Sequence, residues 1–166
     1  MTRLSGSSSQ ASSTTTSRIY SGYIECWSEP LEEIQLTDEA DNKAFRDIVV
    51  SGIPANSTII RVNLTFRVRI VSDSSQMHNA LDGDQNIQVR KHGTGTWTDA
   101  INLKDDMFTT PGGWRDNGME LTGDEDIKSE VDGNGTYNVR WENAICDNDN
   151  LEFNDVEVGL MIWFTT

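Results

Sequence analysis

The sequence predicts an all-β protein, an antiparallel β-sandwich of jelly-roll-like plan with about eight or nine strands and an extended N-terminal arm. Three observations predict it. From Arg18 onward the apolar residues recur every second position, the period of a strand. Clusters of Gly, Pro, Asn and Asp separate these alternating runs. Residues 1–17 are mostly Ser, Thr and Gly, with no acidic residue and Arg3 as their one charge, a composition that cannot bury enough apolar surface to fold alone.

Taken in order, residues 1–17 form the arm, expected to be held by a neighbouring subunit, and residues 18–166 form the sandwich. Residues 19–27, 33–36 and 47–50 read as short strands; between them, residues 36–45 carry some helical character, at most one turn. The clearest strand spans 57–71. There Ile60, Val62, Leu64, Phe66, Val68 and Ile70 point one way, and Arg61, Asn63, Thr65, Arg67 and Arg69 the other. Residues 86–91, 100–103 and 126–131 are further short strands. In residues 137–142, Tyr137, Val139 and Trp141 alternate with Asn138, Arg140 and Glu142. The last strand sets Val156, Val158, Leu160, Ile162 and Phe164 inward, with Trp163 opposite. Ser51-Gly-Ile-Pro-Ala-Asn56, Asp82-Gly-Asp84, His92-Gly-Thr-Gly95, Pro111-Gly-Gly113 and Asp132-Gly-Asn-Gly135 supply the turns.

Composition narrows the function. The 166 residues suit one domain. The net charge of −14 repels phosphate backbones and speaks against a nucleic-acid partner. No run approaches the ~20 apolar residues of a membrane span, and the first residues lack the apolar run of a secretory signal, so synthesis in the cytoplasm without export is expected. Cys26 and Cys146 are expected as free thiols in preference to a disulfide, and no C-x-x-C pair points to zinc.

Catalytic motifs are missing: His78 and His92 sit in polar loops, and no G-x-S-x-G, H-E-x-x-H or P-loop occurs. A non-enzymatic role is expected, with no cofactor. Calcium has two candidate loops, Asp82, Asp84 and Asn86 in one, Asp147 and Asp149 in the other. Neither meets the EF-hand spacing; both are read first as Asx turns, and second as a Ca²⁺ site of some other geometry. Asp124-Glu-Asp126 adds carboxylates without better spacing. The strongest interaction signals are Trp97 and Trp114 in loops, Trp163 on the outer side of the last strand, and the outward row Arg61, Arg67 and Arg69. Trp141 and Trp27 are expected in the core. The arginines are read first as partners of acidic residues on adjacent strands, and second as a subunit contact.

The runs Gly52-Ile-Pro-Ala-Asn-Ser-Thr-Ile-Ile-Arg-Val-Asn-Leu-Thr-Phe66, Ile87-Gln-Val-Arg90, Trp97-Thr-Asp-Ala-Ile-Asn-Leu103 and Ser129-Glu-Val-Asp-Gly-Asn-Gly-Thr-Tyr-Asn-Val-Arg-Trp141 resemble β-sandwich proteins encoded by tailed viruses of bacteria and archaea. The resemblance covers residues 45–166 and rests on ordinary strand–turn patterns. It implies a virion structural role, as head decoration or cement protein or tail accessory. Its partners would be further copies of the chain and a major capsid or other virion protein. No catalytic or ligand residue carries over. Two other readings stand beside it. A carbohydrate-binding module requires Trp97, Trp114 or Trp163 exposed on one face. An extracellular filament subunit requires export, with glycans at the sequons Asn56-Ser-Thr, Asn63-Leu-Thr or Asn134-Gly-Thr.

Overall fold

The structure is a computed structural model and describes residues 21–37, 39–68, 70–71, 85–103, 119–145 and 151–166. The arm, Arg69, His78, Asp82, Asp84, Trp114, Cys146, Asp147 and Asp149 lie outside the described residues. Eleven strands are described, in two antiparallel sheets. The first sheet holds β1 (Ser21–Trp27), β2 (Leu31–Leu36), β5 (Thr58–Val68), β6 (Ile70–Val71), β9 (Met119–Thr122) and β11 (Leu151–Thr165). The second holds β3 (Asp41–Ala44), β4 (Ile48–Val50), β7 (Asn86–Lys91), β8 (Thr98–Asn102) and β10 (Gly135–Ala144).

The long strand β11 organises the first sheet. Its second half pairs with β1 and its first half with β2 on one side, while β5 and β6 follow each other along the other. In the second sheet β3 and β4 line up in the same way beside β10. Taking each such pair as one arm, the sheets read β1/β2–β11–β5/β6–β9 and β3/β4–β10–β7–β8. Numbered along the chain, these eight arms stand as 1-8-3-6 facing 2-7-4-5. The chain changes sheet at each connection between arms except β7 to β8. That is a jelly roll.

Strand parity builds the core. Val62, Leu64, Phe66 and Val68 from β5 and Val158, Leu160 and Ile162 from β11 meet Ile87, Val89, Tyr137, Val139 and Trp141 of the facing sheet, all essentially without solvent contact. Phe66 is the aromatic centre, with ring centroids 6.0 Å from Phe45, 6.1 Å from Trp141 and 6.5 Å from Phe153, all edge-on. The buried indole N–H of Trp141 donates to Gln85 Oε1 at 2.9 Å, which meets the need of a buried donor. The turn over 51–56 bends through Gly52 and Asn56, at φ of 94° and 66°.

Four expectations need correction. Residue 60 does not join the inward row: Trp163 pairs with Arg61 but Phe164 pairs with Ile59, so Ile60 is the extra residue of a β-bulge and is 45% exposed. Residues 41–44 form strand β3 where helical character was expected. Residues 126–131 form a turn instead of a strand, closed by hydrogen bonds from Glu130 and Val131 N–H to Ile127 O. Trp27 is half-buried on the outer face of the first sheet instead of in the core.

Candidate functional site

The outer face of the first sheet carries Arg61, Arg67 and Trp163, three of the four predicted interaction residues that are described. Register stacks them in rows: Tyr23, Trp163 and Arg61 lie directly opposite one another, followed by Glu25, Met161 and Asn63, then Trp27, Gly159, Thr65 and Thr122, then Glu157, Arg67 and Glu120. Opposite residues on one face stand ~4.5–5.5 Å apart at Cβ, so each row is in contact.

In the first row the Tyr23 and Trp163 rings are 5.0 Å apart and tilted by 41°. The Tyr23 hydroxyl donates to Glu25 Oε1 at 2.6 Å and lies 3.0 Å from the Met161 sulfur. Burial, and then the hydrogen bond to Glu25, push the Tyr23 phenol up to about 12. The same hydrogen bond, followed by one from the Trp27 indole N–H, holds the Glu25 carboxyl below its ordinary range. Arg61 donates from Nε to Asn63 Oδ1 at 2.7 Å and from a terminal nitrogen to Asp124 O at 3.2 Å. Around this row opens a groove of about 590 Å³, lined by Gly22, Ile60, Arg61, Asn63 and Trp163.

Three rows further, Arg67 is spent within the domain. It reaches Glu120 at 2.7 Å and Glu157 at 3.6 Å, while its guanidinium carbon lies 3.9 Å from the Trp27 ring centroid. The hydrogen bond to Glu120 is the main cause that raises its pKa further. The cross-strand reading therefore describes Arg67. It does not describe Arg61, whose partners are an amide and a backbone carbonyl.

Trp97 belongs to the other side of the molecule. Arg90 and Arg140, from the outward rows of β7 and β10, place guanidinium carbons 4.3 and 4.4 Å from its ring centroid. Gln88 ties this face together, donating to Asp99 at 2.7 Å and Glu142 at 2.9 Å and accepting from Arg140 at 2.8 Å. Trp97 and Trp163 thus lie on opposite outer faces and cannot share one ligand.

Asn86 stands in β7 opposite Glu142 and Asn102. Among the described residues no group of three His, Cys, Asp or Glu side chains is placed to hold a metal ion. Asp126 instead accepts from the Val62 N–H at 3.0 Å and the Lys128 N–H at 3.2 Å. His92 is exposed, with Nδ1 3.8 Å from Asp47. Cys26 is a half-buried free thiol. Of the sequon residues, Asn63 is buried with Nδ2 bound to Gly123 O and Glu125 O. Asn134 clasps the backbone of Ile53 through both amide atoms, and Asn56 is exposed in its turn.

Tyr23, Glu25 and Ile60 were not singled out by sequence. Parity offered the signal for the first two, since Tyr23, Glu25 and Trp27 share one side of β1. Nothing local marks the bulge that turns Ile60 outward. No protein-family model matches the chain, and neither the curated proteins nor the solved structures compared with it yield a match.

Proposed function

We propose that this chain is a non-enzymatic structural protein of a virion of the tailed-virus type, a decoration or cement unit that assembles through its N-terminal segment. One observation carries the reading: the segment without acidic residues continues from the edge of a strongly acidic sandwich. Ser21, paired with Thr165, begins β1, the edge strand of the first sheet. Residues 1–17 hold one of the 13 basic residues and none of the 27 acidic ones, which leaves residues 18–166 at 12 − 27 = −15. Two such domains repel within a Debye length of about 8–10 Å. The Ser/Thr segment can approach a neighbour without that cost, and at ~3.5 Å per residue it reaches up to about 60 Å when extended. It would add backbone hydrogen bonds along a neighbour's sheet edge. The partners are further copies, as a trimer at a capsid site, and a major capsid or other virion protein. The virion itself enters from the resemblance of residues 45–166.

The test is solution mass by light scattering, for the full chain and for a version lacking residues 2–17. The expected result is a defined oligomer that becomes a folded monomer on deletion. Monomers in both would remove arm-mediated self-assembly, and an unchanged oligomer would place the contact on the sandwich.

A further inference from the structure

We infer that the groove beside Trp163 is a binding site for an acidic sugar residue, with the pyranose ring against the indole and the carboxylate on Arg61. The inference is independent of how the chain assembles.

Its size comes first. About 590 Å³ falls within the ~300–1,000 Å³ of small-molecule sites, and it has room for one or two sugar rings. Its wall is mainly apolar, through Ile60 and Trp163, with Arg61 and Asn63 as its polar side chains. Tyr23 and Ile60, 47% and 45% exposed, are two of the three large hydrophobic residues left exposed among those described, and both flank Trp163. The bulge that turns Ile60 outward stands at the rim, a common place for such a device. Trp163 is already held: Tyr23 packs against it at 5.0 Å, and Tyr23 is itself tethered to Glu25 at 2.6 Å. A fixed indole offers a flat, electron-rich face to polarised C–H bonds, such as those on one face of a pyranose.

Arg61 specifies the charge. Its Nε and one terminal nitrogen are anchored to Asn63 and Asp124 O, which orients the guanidinium without neutralising it. Arg67 and Arg140 each meet a carboxylate. Arg61 has no ion pair with a described acidic residue, although the chain carries net charge −14. Glu25, in the next row, is already bonded to Tyr23 and Trp27. An oriented guanidinium without a described acidic partner, opposite a half-buried indole, suits a ligand with an apolar face and a carboxylate.

The test is an NMR titration of the full chain with methyl β-glucuronide and, separately, methyl β-glucoside. The expected result is saturating shifts of the Trp163 indole N–H and the Arg61 Nε–H, with the glucuronide bound about tenfold more tightly at low salt. Trp163→Ala should abolish both responses, and Arg61→Gln should bring the glucuronide down to the level of the glucoside. Unchanged amide shifts from the core strands show that each variant is folded. Absence of saturating shifts with either sugar, equal affinity for the two, or shifts that survive both substitutions would overturn the assignment.

Discussion

The guanidinium carbon of Arg67 lies 3.9 Å from the centroid of the Trp27 ring, so a side chain of β5 reaches across β11 to cover one of β1. Gly159 makes this possible. It stands in β11 between Trp27 and Thr65, and a Cβ there would come within 2.7 Å of the indole. The indole lies over the bare backbone, with the arginine against it.

Gly159→Ala should therefore lift the indole off the sheet and loosen Arg67. A loss of about 1–3 kcal/mol is expected, as for other overpacking changes. The double variant Gly159→Ala with Trp27→Ala should lose less than the sum of the singles, because the clash needs both groups. Urea unfolding of the three variants measures it, and strict additivity would contradict the geometry.

Phe66 and Ile60 belong to one alternating row in the sequence, yet the bulge separates their fates. Phe66→Ala opens a cavity among Phe45, Trp141 and Phe153 and should cost about 3–5 kcal/mol. Ile60→Ser, at an exposed site, should change stability by no more than about 0.5 kcal/mol. Thermal unfolding of the two variants provides the comparison, and a cost for Ile60→Ser approaching that of Phe66→Ala would place Ile60 inside.

The contrast marks where sequence reasoning holds. Alternation placed Val62, Leu64, Phe66 and Val68, and Val156, Val158, Leu160, Ile162 and Phe164, correctly in the core, because successive side chains take opposite faces. It gives no warning of a bulge, which depends on the partner strand. It also misses β3 and β9. Asp41–Ala44 carries a single apolar residue, and Met119–Thr122 is too short for a period to emerge. Trp27 was placed in the core on its strand pattern, although parity with Glu25 pointed outward. For the groove, Trp163 and Arg61 were both visible as outward residues. That they face each other is a matter of register, which the sequence of one strand does not contain.

Asn63 shows the same limit from the polar side. It stands in the outward row but is only 3% exposed, because the chain after β9 folds over it and takes hydrogen bonds from its amide at Gly123 O and Glu125 O. Asn63→Ala strands those carbonyls and should cost about 1–3 kcal/mol. Thr65→Val is the control. It breaks the 2.8 Å contact with Thr122, but Thr122 is exposed and can turn to water, so a loss below about 1 kcal/mol is expected. Equal losses in chemical denaturation would mean that the covering loop does not depend on Asn63.

Acid should undo the edges before the core. Asp132 is held below its ordinary range first by the hydrogen bond from Lys91, at 2.8 Å to each oxygen. For Asp126 burial alone would raise the carboxyl, but hydrogen bonds from the Val62 N–H and from Lys128 outweigh it, and the net shift is downward. A carboxyl with a lowered folded pKa binds fewer protons in the folded than in the unfolded chain. Its contribution is therefore fully present above the unfolded value of about 3.9 and fades as pH falls through the folded value. Stability should be level from pH 7 to about 5 and decline below about 4. Asp126→Ala, which also strands the Val62 N–H, should be about 1–2 kcal/mol less stable at pH 7. Its acid limb should be shallower, so that the gap to the parent chain narrows toward pH 2. Unfolding curves across that range decide the point: a gap that stays constant would mean that the Asp126 charge contributes nothing and that only the shape of its side chain matters.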